Sequence, residues 1–257
     1  MIEALRSCLS SWKPPDATGE YARRMWRHTL DYHALPAADR RDGSGALPYL
    51  PIDPDALGCR LTAADSLLDV GCLGGYGLFD IAENRRHAGA ALPRLIGVDQ
   101  AASSIELTRI MAKHWAGGTA TDFLRADAMG LPLPDKTCRV VVARLLLPYT
   151  SIDDTLRELT RVLANDGLLY LQVHGPRYYL GRISARYRRP RIASYYMRPL
   201  LACAWLRFAG RQPDGAWFRE TALTSGMLRR LAGQHGLTER WRGTDRARPF
   251  AAYGRKS

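Results

Sequence analysis

The sequence predicts an α/β fold, a parallel sheet whose strands are joined by crossover helices. Two observations carry that expectation. Short apolar runs that reach an acid recur along the chain, as Leu67-Leu68-Asp69-Val70, Leu95-Ile96-Gly97-Val98-Asp99 and Phe123-Leu124-Arg125-Ala126-Asp127. After the first of them, apolar residues return at helical spacing, at Leu78, Phe79, Ile81 and Ala82. Alternation of strand and helix from Leu67 to Val173 is what parallel pairing demands, because each connection must cross back over the sheet. A chain of 257 residues is long enough for one such domain with a buried core and extra elements.

Residues 1–17 read as a short amphipathic start broken by Pro14-Pro15. From Glu20 to Leu30, Tyr21, Met25, Trp26 and Leu30 lie near helical spacing. That helix either packs against the sheet, the favoured reading, or caps a ligand with Tyr21, Trp26, Tyr32 and His33. Prolines and glycines crowd residues 36–58, which read as an irregular linker. The expected organisation is therefore a helical cap and linker at 1–58 and the main domain at 59–257. Fourth and fifth strands are expected at Val140–Ala143 and Leu168–Val173. Beyond them, Met227, Leu228 and Leu231 suit a helix ending near Gly236, and Leu237–Arg242 and Pro249–Gly254 suit two last, antiparallel strands.

The stretch Leu67-Leu68-Asp69-Val70-Gly71-Cys72-Leu73-Gly74-Gly75-Tyr76-Gly77 organises the rest. Leu67, Leu68 and Val70 suit a strand buried on both faces, and the glycines that follow allow positive φ and close backbone approach. A side chain at Gly71 or Gly75 is expected to occupy ligand space. With a helix beginning near Tyr76, the turn would present backbone N–H groups to a ligand. It lacks the Gly-Lys-Ser/Thr ending of a P-loop and the Gly-x-Gly-x-x-Gly spacing of a dinucleotide fingerprint. Ligands of parallel sheets sit beyond the carboxyl ends of the strands, where Asp69, Asp99 and Asp127 are expected to meet, and an acid at the second tip suits a ribose diol.

Together with Glu158-Leu159-Thr160-Arg161-Val162-Leu163-Ala164-Asn165-Asp166-Gly167-Leu168-Leu169, these motifs resemble the class I S-adenosylmethionine-dependent methyltransferases over roughly residues 60–175. The resemblance implies a Rossmann-like, seven-stranded, mostly parallel sheet with helices on both faces, the last strand antiparallel, and S-adenosylmethionine as cofactor. It implies that Asp69, Gly71, Cys72 and Gly75 hold the methionine part of that cofactor. Asp99 would bind the ribose hydroxyls with Gln100 beside the adenine, Asp127 and Ala128 would meet the adenine edge, and Arg144 and Leu145 would line the sulfonium. Leu73 stands where the family's commonest turn has a second glycine.

Apolar residues make up 46% and charged residues 24% of the chain, ordinary for a globular protein, but the net charge is +12. Such an excess favours anionic partners. The cysteines at 8, 59, 72, 138 and 203 form no Cys-x-x-Cys pair and the six histidines show no ligand spacing, so neither a disulfide framework nor a metal site is expected. No apolar signal core opens the chain, and the expected compartment is the cytoplasm, with peripheral association at a membrane left open.

Residues 175–213 stand apart. Nine arginines are interleaved there with tyrosines and no acid intervenes. The segment is expected to form a basic substrate cap inserted after strand five. An arginine-tyrosine surface can grip RNA. It can lie on an anionic membrane, since Tyr195–Phe208 includes Met197, Leu200, Leu201, Ala202, Trp205 and Leu206. It can close over a small acceptor, anionic or glycosidic, and hold its carboxylate, phosphate or sugar; or it is a solvated basic face. The small-substrate lid is favoured because no recognised RNA-binding module accompanies the core.

Arg144-Leu145-Leu146-Leu147-Pro148-Tyr149 replaces the Asp/Asn-Pro-Pro-Tyr that enzymes acting on planar nitrogens carry after strand four. His174 ends strand five, and its near-neutral pKa makes it the candidate general base, against the plainer alternative of a bond to a loop carbonyl. Tyr149, Arg177 and Tyr178 are candidate substrate contacts. The expectation is methylation of a hydroxyl on a small molecule or saccharide; the rivals are RNA methylation and a non-catalytic, methyltransferase-like partner subunit.

Overall fold

A computed structural model describes residues 1–35, 49–115, 119–185, 190–213, 215, 220–245 and 248–256. Of the expected linker at 36–58, residues 36–48 lie outside the described residues, as do Arg186, Arg188 and Arg189 of the basic segment. Seven strands form a sheet of order β3-β2-β1-β4-β5-β7-β6. The chain divides into two compact units, 1–128 and 129–257.

The first unit opens with helices α1 (Ile2–Ser11) and α2 (Ala17–Ala34). Asp16 caps α2, its carboxylate accepting from Gly19 N at 2.9 Å, which is why the helix starts three residues before the apolar spacing begins. Strands β1 (Ser66–Val70), β2 (Arg94–Asp99) and β3 (Thr121–Arg125) pair in parallel. Helix α3 (Tyr76–His87) follows β1, and α4 (Ala102–Trp115) follows β2. The core is aromatic where α2 meets α3 and α4: Phe79 lies 5.3 Å from Trp26 and 5.6 Å from Trp115, ring centre to ring centre. Trp26, Leu30 and Tyr32 are buried. Packing, rather than an open cap, is thus what α2 does, although Tyr21 remains exposed. A 3-10 turn, Pro54–Leu57, is tied down by Arg85, whose buried guanidinium bonds Asp53 Oδ1 and Oδ2 at 2.7 and 2.8 Å.

The second unit holds β4 (Cys138–Arg144), α5 (Ile152–Val162), β5 (Leu163–Gln172), α6 (Pro176–Ser184), α7 (Pro190–Ala209), α8 (Ser225–Gln234), β6 (Leu237–Asp245) and β7 (Arg248–Arg255). β4 and β5 are parallel, while β7 is antiparallel to both β5 and β6. The turn expected between α5 and the fifth strand is a bulge inside β5. Cys138 faces Leu163 but Val140 faces Leu168, so four residues of β5 stand opposite the single Arg139, three more than the register needs. Gly167 is required there, since a Cβ would stand 2.6 Å from Arg139 O. The basic segment supplies α6 and α7.

Candidate functional sites

In the first unit, parallel register brings the ends of β1, β2 and β3 to one edge, Val70 beside Val98 and Asp99 beside Arg125. The turn after β1 is fastened to β2 by Gly71 N and Cys72 N, which both donate to Val98 O at 2.8 and 3.0 Å. Gly71 and Gly75 take positive φ, 75° and 78°. So does Leu73, at 53°: the residue in place of the family's glycine keeps the left-handed path that glycine would follow. Asp99 stabilises that path, because its Oδ2 accepts from Leu73 N at 2.9 Å and its Oδ1 from Ala101 N at 2.8 Å. Burial nonetheless pushes the Asp99 carboxyl above its usual range, the two backbone bonds opposing it.

One expectation about this turn is corrected. The space beside Gly75 belongs to the protein, for a Cβ would stand 2.4 Å from Thr108 Cγ2. The Cys72 side chain is buried beside Gly97 of β2, and burial, with Asp69 and Asp99 nearby, drives the thiol well up. Asp69 is likewise fully buried and accepts from the Tyr49 hydroxyl at 3.1 Å. Gln100 and Asp127 are exposed, and Ala128 is buried.

Sequence reasoning missed two supports of the turn. Trp26 Nε1 donates to Gly74 O at 2.6 Å, and the Tyr49 ring fills the space that a Cβ at Gly77 would enter. Trp26 showed as an apolar position of a helix and as a candidate ligand cap, not as a partner of the turn. Tyr49 sat in a segment with no periodicity at all.

The residues fit the cofactor that the resemblance implies. No side chain caps the start of α3, the kind of helix end at which backbone N–H groups take a ligand. Each Asp99 oxygen has spent one acceptor site on a backbone N–H and keeps another for a ribose hydroxyl.

In the second unit, Arg144 Nε donates to Gln172 Oε1 at 2.9 Å and its guanidinium lies over Phe250, while Leu145 takes φ 58° with its N–H on Gln172 O. Beyond β5, His174 is 5% exposed and sits inside a ring of tyrosines. It stacks on Tyr178 at 4.1 Å and meets Tyr179 and Tyr149 edge-on at 5.8 and 6.3 Å. Its buried Nδ1 has no hydrogen-bond partner among the described residues. The guanidinium groups that reach Tyr178 are those of Arg182 and Arg248, at 5.1 and 5.2 Å, whereas Arg177 is exposed. Burial first, then the charges of Arg248 and Arg182, lower His174 to about 4. The near-neutral pKa expected for it is therefore corrected, because an imidazolium here would be both desolvated and repelled.

Glu220 completes the cluster by accepting from the hydroxyls of both Tyr179 and Tyr149. Burial and the Glu220 charge push both phenols up. Tyr149, 54% exposed, is held in the cluster by its bond to Glu220. Arg182 is one of the nine arginines of the basic segment, but Glu220 and Arg248 belong to no motif, and no spacing in the sequence joins them to His174. A cavity of about 910 Å³ also borders Tyr149, and polar groups along it pair within the protein: His235 Nε2 lies 3.0 Å from Asp153 Oδ1 and Gln212 Oε1 accepts from Ile152 N at 2.7 Å.

A sheet of this order, with an acid-bearing, glycine-rich turn after its first sequential strand, defines a class I methyltransferase fold. Residues 68–171 match the family model described as methyltransferase domain, a domain whose cofactor is S-adenosylmethionine. Solved structures share the fold. A putative methyltransferase in complex with the Trm112 methyltransferase activator of Haloferax volcanii aligns at TM-score 0.58 and 15% identity, over 95% of this chain and 98% of that one. A putative S-adenosyl-L-methionine-dependent methyltransferase of Methanococcus maripaludis aligns at 0.56 and 12%, over 96% and 97%. The [4+2]-cyclase SpnF aligns at 0.50 and 19% over 74% of this chain, which spans 58% of that protein's length. No curated protein matches the sequence.

Proposed function

We propose that the protein methylates a hydroxyl group of a small molecule or saccharide bearing an anionic group. The observation that carries this reading is His174, buried with an unmatched Nδ1 inside three tyrosine rings, with Arg182 and Arg248 at the same cluster.

The bound cofactor supplies an electrophilic methyl group. The chain's part is to hold both reactants. Backbone of Gly71, Cys72 and Gly75 with the first turn of α3 would take the methionine portion, Asp99 the ribose hydroxyls, and Gln100, Asp127 and Ala128 the adenine; Arg144 and Leu145 enter by resemblance alone. The acceptor would be sandwiched by the tyrosine rings, its anionic group on Arg182 and Arg248, and its hydroxyl hydrogen-bonded to His174. Arg177 falls outside the proposal.

With a pKa near 4, His174 is neutral at ordinary pH and too weak a base to ionise an alcohol beforehand. It suffices to take the proton as the oxygen acquires the methyl group and turns strongly acidic. Positioning then supplies most of the rate gain. Arg144-Leu145-Leu146-Leu147-Pro148-Tyr149 in place of an Asp/Asn-Pro-Pro-Tyr motif supports an oxygen rather than a planar nitrogen as acceptor.

The test pairs calorimetric titration with S-adenosylhomocysteine and turnover of labelled S-adenosylmethionine on anionic hydroxylated compounds. Asp99→Asn should weaken binding at least about tenfold. His174→Asn should lower kcat/KM roughly 100-fold while leaving binding intact. The net charge of +12 motivates a second reading, RNA as acceptor, which preferential labelling of RNA would establish. Binding without turnover on any acceptor would sink both and point to a partner-dependent role, which the neighbour in complex with a methyltransferase activator motivates.

A further inference from the structure

Helix α7 is apolar on two opposite sides. Pro199, Ala202 and Leu206 face inward and are buried. At 100° per residue, Met197, Leu201, Ala204, Trp205 and Phe208 fall on the opposite side. They are exposed, Phe208 at 87%, Trp205 at 49%, Leu201 at 47% and Met197 at 41%. An outward stripe of four large apolar side chains on one helix exceeds the scattered exposed residues normal on a protein surface.

The surroundings state what would cover it. The same spacing sets Arg207 to one side of the stripe and Arg191 and Arg198 to the other. Residues 175–213 carry nine arginines and no acid. Trp205 brings an amphipathic ring of the kind that settles at headgroup depth. No described helix is long and apolar enough to cross a membrane, so a surface position parallel to the bilayer is what α7 can adopt.

We propose that the outward face of α7 is an interfacial surface that lies on an anionic phospholipid bilayer, its apolar stripe in the acyl boundary and its arginines at the headgroup phosphates. A second copy of the chain is the poorer occupant, since a two-fold contact would bring arginine flank against arginine flank. RNA is poorer too, because a stripe that includes methionine and leucine offers it neither charge nor ring stacking. None of the stripe's residues is among those proposed above to hold cofactor or acceptor.

Flotation with vesicles tests it. Phosphatidylcholine vesicles with about one-third phosphatidylglycerol should retain the full-length protein, and pure phosphatidylcholine should retain much less, because each arginine near the surface adds to binding. Leu201→Glu combined with Phe208→Glu should weaken partitioning at least about tenfold, as two buried apolar groups become charges. Both positions are exposed, so the melting temperature and S-adenosylhomocysteine binding should stay as in the wild type, which separates failure of this proposal from failure of the cofactor site. Absence of flotation by the wild type, or flotation unchanged in the double variant, would overturn it. So would a dimer that sediments for the wild type and dissociates in the double variant.

Discussion

Leu73 shows at the level of one residue how a departure from a family pattern is absorbed. Its φ of 53° is a conformation that a Cβ disfavours by roughly 1–2 kcal/mol, yet Asp99 Oδ2 and the two bonds to Val98 O fix the turn around it. Replacement by glycine relieves the Cβ clash and adds unfolded-state entropy, two effects that nearly cancel. Urea denaturation should therefore place Leu73→Gly within about 1 kcal/mol of the wild type, whereas Leu73→Val, branched at Cβ, should lose more than about 1 kcal/mol. Equal losses for both would show that the side chain, not the backbone, matters there. Leu73 was legible in the sequence as an anomaly of the turn; that Asp99 holds its N–H was not, because 26 residues separate them.

Helix α2 belongs to the next scale. Its amphipathic spacing was legible in the sequence, and Asp16 and Gly19 fix where it begins. Its work is done through Trp26, fully buried, with Nε1 on the Gly74 carbonyl. Trp26→Phe keeps a ring in place but leaves that carbonyl unmatched and a small void, and should cost about 2 kcal/mol by urea denaturation at unchanged m. A loss under about 0.5 kcal/mol would mean that α2 is not fastened to the turn by this bond. Helix α7 illustrates the opposite case. Apolar residues on both of its sides erase the amphipathic signal, so composition marked the segment as basic and apolar without telling which side chains face out.

For the whole molecule, the buried neutral His174 couples stability to pH. Its folded pKa, about 4, lies below the unfolded value of 6.5. The unfolded chain therefore binds the proton first as pH falls. Above pH 6.5 the group costs nothing; between 6.5 and about 4 stability is lost progressively, up to roughly 3 kcal/mol. Wild type and His174→Asn, compared by urea denaturation from pH 7.5 to 4.5, should converge or cross as pH falls, because the variant lacks this term. Parallel curves would show that His174 titrates as an ordinary exposed imidazole.

By itself the sequence determined the alternation of elements, the acid-then-glycine turn after β1 and the acids at the ends of β2 and β3. Those features depend on periodicity and on residues close together in the chain. Tertiary structure decided the rest: that Thr108 and Trp26, rather than a ligand, fill the space beside Gly75 and Gly74, that Tyr49 reaches Asp69, and that Glu220, Arg182 and Arg248 gather around His174. The same side chains set the histidine's charge. A pKa follows from burial and neighbouring charge, and Arg248 stands 74 residues from His174 in the chain, so only the pairing of β5 with β7 brings it near.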